Sequence, residues 1–116
     1  VGILTSWNKR IVVKTTSTSN PFNTPSLNVG DIMEILVKGS FTGTVSTELP
    51  AITVSNGLPV ITLDTTTLKL ASPTFSTAFT LYSLFTVNKV GVWSIQVTIG
   101  GGSFQNLQIG LTVYRG

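Results

Sequence analysis

Chemistry in a protein starts from groups that hold protons, electrons or metal ions, and this chain carries few. It has no histidine and no cysteine. That removes Ser-His-Asp and Cys-His catalysis, thiolate metal sites, disulfides and haem ligation by histidine. Four carboxylates remain: Asp31, Glu34, Glu48 and Asp64. Glycoside hydrolysis needs two of them flanking one bond. Asp31 and Glu34 are three residues apart, a spacing that sends strand side chains to opposite faces. Nothing in the spacing of Glu48 and Asp64 brings that pair together. No Asp-x-Asp run supplies clustered oxygens for calcium. Neither a helix pattern nor a Lys-Ser/Thr pair follows Gly100-Gly101-Gly102, so this run reads as a turn and not a phosphate loop. The expectation is a non-catalytic protein without cofactor or metal.

The aromatic residues offer binding in place of catalysis. Trp93, Phe79 and Phe85 fall on apolar faces and are expected in the core. Trp7, Tyr82 and Tyr114 are the candidates for exposure, where they would stack on sugar rings. The plainer expectation is that Trp7 packs against a sheet, in its own subunit or the next.

Seven basic and four acidic residues in 116 leave a net charge of +3. The basic residues are scattered and make neither a dense stripe nor an aromatic RNA motif, which argues against nucleic-acid binding. Ordinary domains are about one-quarter charged. The low charge, with 19 Thr and 12 Ser, predicts a secreted or surface-displayed protein, with a virus particle as the alternative. No Asn-x-Ser/Thr sequon is present. The chain opens on Val1 and not Met, which predicts that a leader, a pro-segment or the rest of a longer chain was removed. No apolar run approaches the roughly 18 residues of a membrane span.

The elements that position these residues are strands. Helical periodicity never persists beyond about two turns. The best-patterned stretch is Val90 to Tyr114. Trp93, Ile95, Val97 and Ile99 alternate with Ser94, Gln96 and Thr98; after the glycines, Leu107, Ile109, Leu111 and Val113 alternate with polar residues. This predicts a hairpin turning on Gly100-Gly101-Gly102, its last strand open as an acceptor edge. Upstream, Val1 to Trp7 and Ile11 to Thr15 read as short strands, and Ser17 to Leu27, with two prolines, as a loop. A strand from Ile32 turns Met33, Ile35 and Val37 inward, leaving Ile32 and Leu36 on the outward face. Asn56-Gly57 predicts a hairpin between Ala51–Ser55 and Leu58–Leu63. Thr65 to Leu70 is a further strand. In Phe75 to Val87, apolar residues on both parities predict a bulge or bend near Ser83. The sum is an all-β sandwich of seven to nine antiparallel strands: one domain over residues 9–116, preceded by an apolar strand over 1–8.

Val90-Gly91-Val92-Trp93 with Leu111-Thr112-Val113-Tyr114 resembles the last two strands of immunoglobulin-like domains of prokaryotic surface proteins. Val29-Gly30-Asp31 before Ile32 resembles their second-strand entry. The antibody-type cysteine pair is absent. A narrower resemblance is to surface-filament subunits joined by donor-strand complementation, with Val1 to Trp7 as donor. These resemblances imply an immunoglobulin-like sandwich and a structural subunit of an extracellular assembly that self-associates into an oligomer or filament. The residues expected to join copies are Val1, Ile3, Leu4, Trp7, Ile32, Leu36, Leu107, Ile109 and Leu111. A glycan-binding adhesion module and a virus or phage particle protein are the alternatives.

Overall fold

The computed structural model describes residues 9–43, 48–57, 59–65, 75–100 and 103–116. They form eight strands: β1 (Arg10–Ser17), β2 (Phe22–Leu27), β3 (Ile32–Gly43), β4 (Glu48–Ser55), β5 (Ile61–Thr65), β6 (Phe75–Thr86), β7 (Gly91–Gly100) and β8 (Ser103–Arg115). No helix among the described residues is long and apolar enough to cross a membrane. The all-β, two-sheet expectation holds.

The sheets are β1-β8-β3-β6 and β2-β7-β4-β5, antiparallel throughout. The pairs nest: first with last, second with seventh, third with sixth, fourth with fifth. The chain is thus one long antiparallel ribbon folded over so that successive strands alternate sheets except at the β4–β5 hairpin, where both lie in one sheet, and it is closed by the β3–β8 and β4–β7 ladders. This is the strand order of a jelly roll, two interlocked Greek keys. An immunoglobulin sandwich instead places its last two strands together in one sheet.

That order corrects the expected terminal hairpin. β7 and β8 each alternate as read, but they lie in different sheets. Apolar alternation fixes which face of a strand is buried and leaves its lateral neighbours undetermined. β8 is also no acceptor edge, since β1 pairs it from Ser17↔Ile109 to Arg10↔Arg115 and β3 pairs its other side. The β4–β5 hairpin forms, but with a wide turn. Gly57 has φ +79° while Asn56 keeps negative φ, so a two-residue type I′ turn is not made. The Ser17–Leu27 loop contains β2, an edge strand that tolerates Pro25. The expected bulge near Ser83 is absent: β3 and β6 pair without interruption from Ile32↔Thr86 to Gly43↔Phe75. The Val1–Trp7 strand and all but Thr65 of the Thr65–Leu70 strand lie outside the described residues.

The core is what the two sheets press between them. Met33, Ile35, Val37 and Phe41 of β3 and Ile109, Leu111 and Val113 of β8 come from one sheet; Ile52, Val54, Trp93, Ile95 and Val97 come from the other. Phe85 of β6 meets Trp93 of β7 across the sheets at 5.1 Å between ring centroids. Trp93 satisfies its indole N–H by donating to the Lys89 carbonyl at 2.9 Å. The β2 edge is completed by side chains. The Asn20 amide donates to the Val97 carbonyl at 2.8 Å and accepts from the Val97 N–H at 3.0 Å, as a strand residue would. Where the β2–β7 register slips near Pro25, the Thr24 hydroxyl accepts the Trp93 N–H at 3.0 Å.

Opposite Gly39 the β3–β8 register also shifts, and Asn106 takes a φ of +54°. A Cβ on Gly39 would stand 3.1 Å from the Leu107 Cα, so the glycine is what admits the bulged strand. The bulge changes parity, which lets Phe104 as well as Leu107 pack on the core.

One ion pair fastens the entry of β3 to the end of β8. Asp31 is buried and accepts from Arg115 Nε at 2.9 Å and from a second guanidinium nitrogen at 2.8 Å. It also accepts the Asn28 N–H at 2.8 Å, which shapes the turn before β3. The same turn exchanges backbone bonds with Val87 at the end of β6. The Arg115 hydrogen bonds hold the Asp31 carboxyl below its ordinary value of 3.8, against the opposing cost of burial. A depressed carboxyl contributes stability above that ordinary value and loses it as pH falls through the folded value. Arg115 is partly exposed, so solvent screens the pair. Asp31→Ala is expected to cost about 2 kcal/mol at neutral pH. Urea titrations should show that gap closing as pH drops below the ordinary carboxyl range.

Candidate interaction surface

The outer face of the β1-β8-β3-β6 sheet carries the chain's unusual surface. Strand alternation sends Glu34, Leu36 and Lys38 of β3 outward, opposite Leu84, Tyr82 and Thr80 of β6. On the other side they face Thr112, Gly110 and Gln108 of β8. Leu36, Tyr82 and Leu84 are 37%, 47% and 41% exposed and are cross-strand neighbours, directly or on the diagonal. Together they form an apolar strip on a sheet face that faces solvent.

The strip surrounds one carboxylate. Glu34 accepts from the Tyr82 hydroxyl at 2.6 Å and from the Tyr114 hydroxyl at 3.2 Å. Both tyrosines reach it diagonally, Tyr82 from the position opposite Leu36 and Tyr114 from that opposite Ile32. The hydrogen bond to Glu34, together with desolvation, pushes the Tyr82 phenol up to about 12. Burial, then Glu34, raises that of Tyr114. Beside the strip is an open cleft of about 190 Å³, lined by Thr16, Leu36, Lys38, Gln108 and Gly110. It exists because Gly110, between Thr16 and Leu36, has no side chain to fill it.

This arrangement offers apolar contact area around one hydrogen-bonded carboxylate. Glu34 is engaged by two neutral phenols and has no carboxylate opposite it in either register. No group of three His, Cys, Asp or Glu among the described residues is placed to hold a metal. The other sheet's outer face shows Gln96, Ser94 and Thr98 of β7, with Val92 exposed at its end.

Of the residues expected to join copies, Leu36 is on this surface. Ile32 is not: Thr86 and Tyr114 flank it and it is 3% exposed. Ile109 and Leu111 point inward and are fully buried, and Leu107 packs against the same core. Ile109 and Leu111 belong to the interior part of the strand, so neither their side chains nor their backbone is free, whereas Leu107 is partly buried beside the bulge. Val1, Ile3, Leu4 and Trp7 lie outside the described residues. Tyr82, named as an exposure candidate, is half exposed, whereas Tyr114 is partly covered. Leu84 and the hydrogen bonds from Tyr82 and Tyr114 were not expected at this surface, although Glu34 reads as outward beside Ile32 and Leu36. The signal for Leu84 was present: without a bulge, Tyr82 and Leu84 share the parity opposite to Phe79, Leu81 and Phe85.

No protein-family model matches the chain, and no curated protein or solved structure shows significant similarity to it.

The cluster makes a titration prediction. A phenol raised by a carboxylate neighbour contributes stability below its ordinary value of 10.0 and loses it as pH rises toward 12. Ultraviolet absorbance should show neither native tyrosine ionising at the ordinary value. Glu34→Gln should lower the Tyr82 midpoint toward that value while leaving the fold intact.

Proposed function

We propose that this chain is a non-catalytic structural subunit of an extracellular or particle assembly, associating with copies of itself through the outer face of the β1-β8-β3-β6 sheet. The observation that carries the reading is the strip of Leu36, Tyr82 and Leu84 around a carboxylate already engaged by two hydroxyls. Burying a charge is costly when it must surrender water without replacement. Glu34 keeps two of its hydrogen bonds on the protein, which lowers the cost of covering this face. Each leucine covered adds up to roughly 1.5–3 kcal/mol, less the part already buried. The low overall charge works the same way, since few ions need desolvating when copies pack.

The strand order favours a particle subunit over a filament within this reading, because jelly rolls are the form of many viral capsid domains. The same fold also serves lectins, so the fold alone does not decide. A glycan platform finds less support from the tyrosines, because Tyr114 is partly covered and Tyr82 alone of the two is exposed. The finer form of the reading has Val1, Ile3, Leu4 and Trp7 adding as a strand to a neighbour. Deleting residues 1–8 abolishes assembly if that contact is required and spares it if the sheet face suffices.

Sedimentation velocity over a concentration series tests the core of the proposal. The native chain should assemble as concentration rises. Leu36→Glu with Leu84→Glu should weaken association at least tenfold and leave the circular dichroism spectrum unchanged, because both side chains are partly exposed. A native chain that stays monomeric at the highest reachable concentration contradicts the proposal.

A further inference from the structure

A sheet of four strands has two edges, and proteins normally blunt them. Three of the four edges here are blunted. β1 carries Arg10 and Lys14 and a register slip between Ile11 and Val13. β2 contains Pro25 and a slip of its own. β5 is five residues long and includes Asp64. β6 is different. It runs for 12 residues, Phe75–Thr86, with no proline and no charged residue. Its ladder to β3 has no slip, so the strand is regular from end to end. Among the described residues no strand pairs with its other side. Among the described residues its outward backbone N–H and C=O groups therefore form an uninterrupted row.

We propose that β6 is the strand through which two copies of this chain pair, antiparallel and about a twofold axis, so that the two sheets join as β1-β8-β3-β6-β6-β3-β8-β1. This rests on the reading of the chain as a self-assembling subunit and names the contact. A second copy is the occupant because an antiparallel edge complements itself: a twofold axis needs one patch, used twice. The uncharged sequence makes that self-pairing free of like-charge repulsion, which a charged edge would impose. The other edges of the chain, being blunted, are poorer partners for it.

The pairing also explains the apolar strip beside this edge. Tyr82 and Leu84 alternate outward along β6, so joining two copies brings both sets together on one continuous face. Backbone pairing over a strand of about 40 Å buries an edge of roughly 400 Å² per copy, the weak end of specific contacts. The flanking outward side chains add to it, and the doubled strip is the surface that further copies cover.

The absence of cysteine makes the test clean. Ala78, Thr80 and Tyr82 are exposed on the outward parity of β6. Full overlap of the two strands centres the axis near Thr80. Facing residues in an antiparallel pair lie about 4.5–5.5 Å apart at Cα, within disulfide range. Under mild oxidation, Thr80→Cys should give a covalent dimer. Ala78→Cys mixed with Tyr82→Cys should cross-link in preference to either alone. Thr80→Lys should remove the pairing without unfolding the chain. Equal cross-linking at all three positions, or none in a chain that sediments as an oligomer, overturns the β6 contact and leaves the assembly reading standing. A monomeric chain overturns both.

Discussion

The interior position of β8 is the constraint on which the first sheet depends. Its inward residues Ile109, Leu111 and Val113 face the other sheet, and its two edges are taken by β1 and β3. A strand buried on one face and paired on both edges cannot move without releasing all three. β1 and β8 come from opposite ends of the described chain, so the fold closes only when the whole ribbon has doubled over. Asp31 and Arg115 lock that closure, joining the start of β3 to the end of β8 with two hydrogen bonds. Once β8 is inside, β1 and β6 become the outer strands and the sheet's far face is left to solvent.

Much of this was legible from residue order, and the part that was not has a physical cause. The parity of Met33, Ile35 and Val37, and of Trp93, Ile95 and Val97, identified inward faces because strand side chains alternate without exception unless a bulge intervenes. Lateral neighbours were not legible, because any amphipathic strand fits beside any other of matching face. The terminal hairpin failed for that reason. Ile32 failed differently: its parity is outward as read, but Tyr114 and Thr86 cover it. Phe104 owes its core position to the bulge opposite Gly39, which no alternation rule contains.

The candidate surface was half legible. Leu36 stood out as an apolar residue on an outward parity, and Tyr82 as an aromatic residue suited to exposure. What sequence could not supply was their adjacency, which requires β3 and β6 to be paired in register. Nor could it place Glu34 between Tyr82 and Tyr114, which come from the two strands on either side of β3. Among the described residues the same pairing leaves β6 as an outer strand, so the apolar strip and that edge have one origin.

β8 is closed on both sides, and β6, with its strip of Leu36, Tyr82 and Leu84, is the proposed meeting place of copies. Residue-resolved amide hydrogen exchange, compared between dilute and concentrated solutions, tests this most directly. β8 amides from Ile109 onward should be protected at both concentrations. The unpaired half of the β6 amides should gain protection only on concentration. Fast exchange along β8, or concentration-dependent protection confined to β1, β2 or β5, would contradict it.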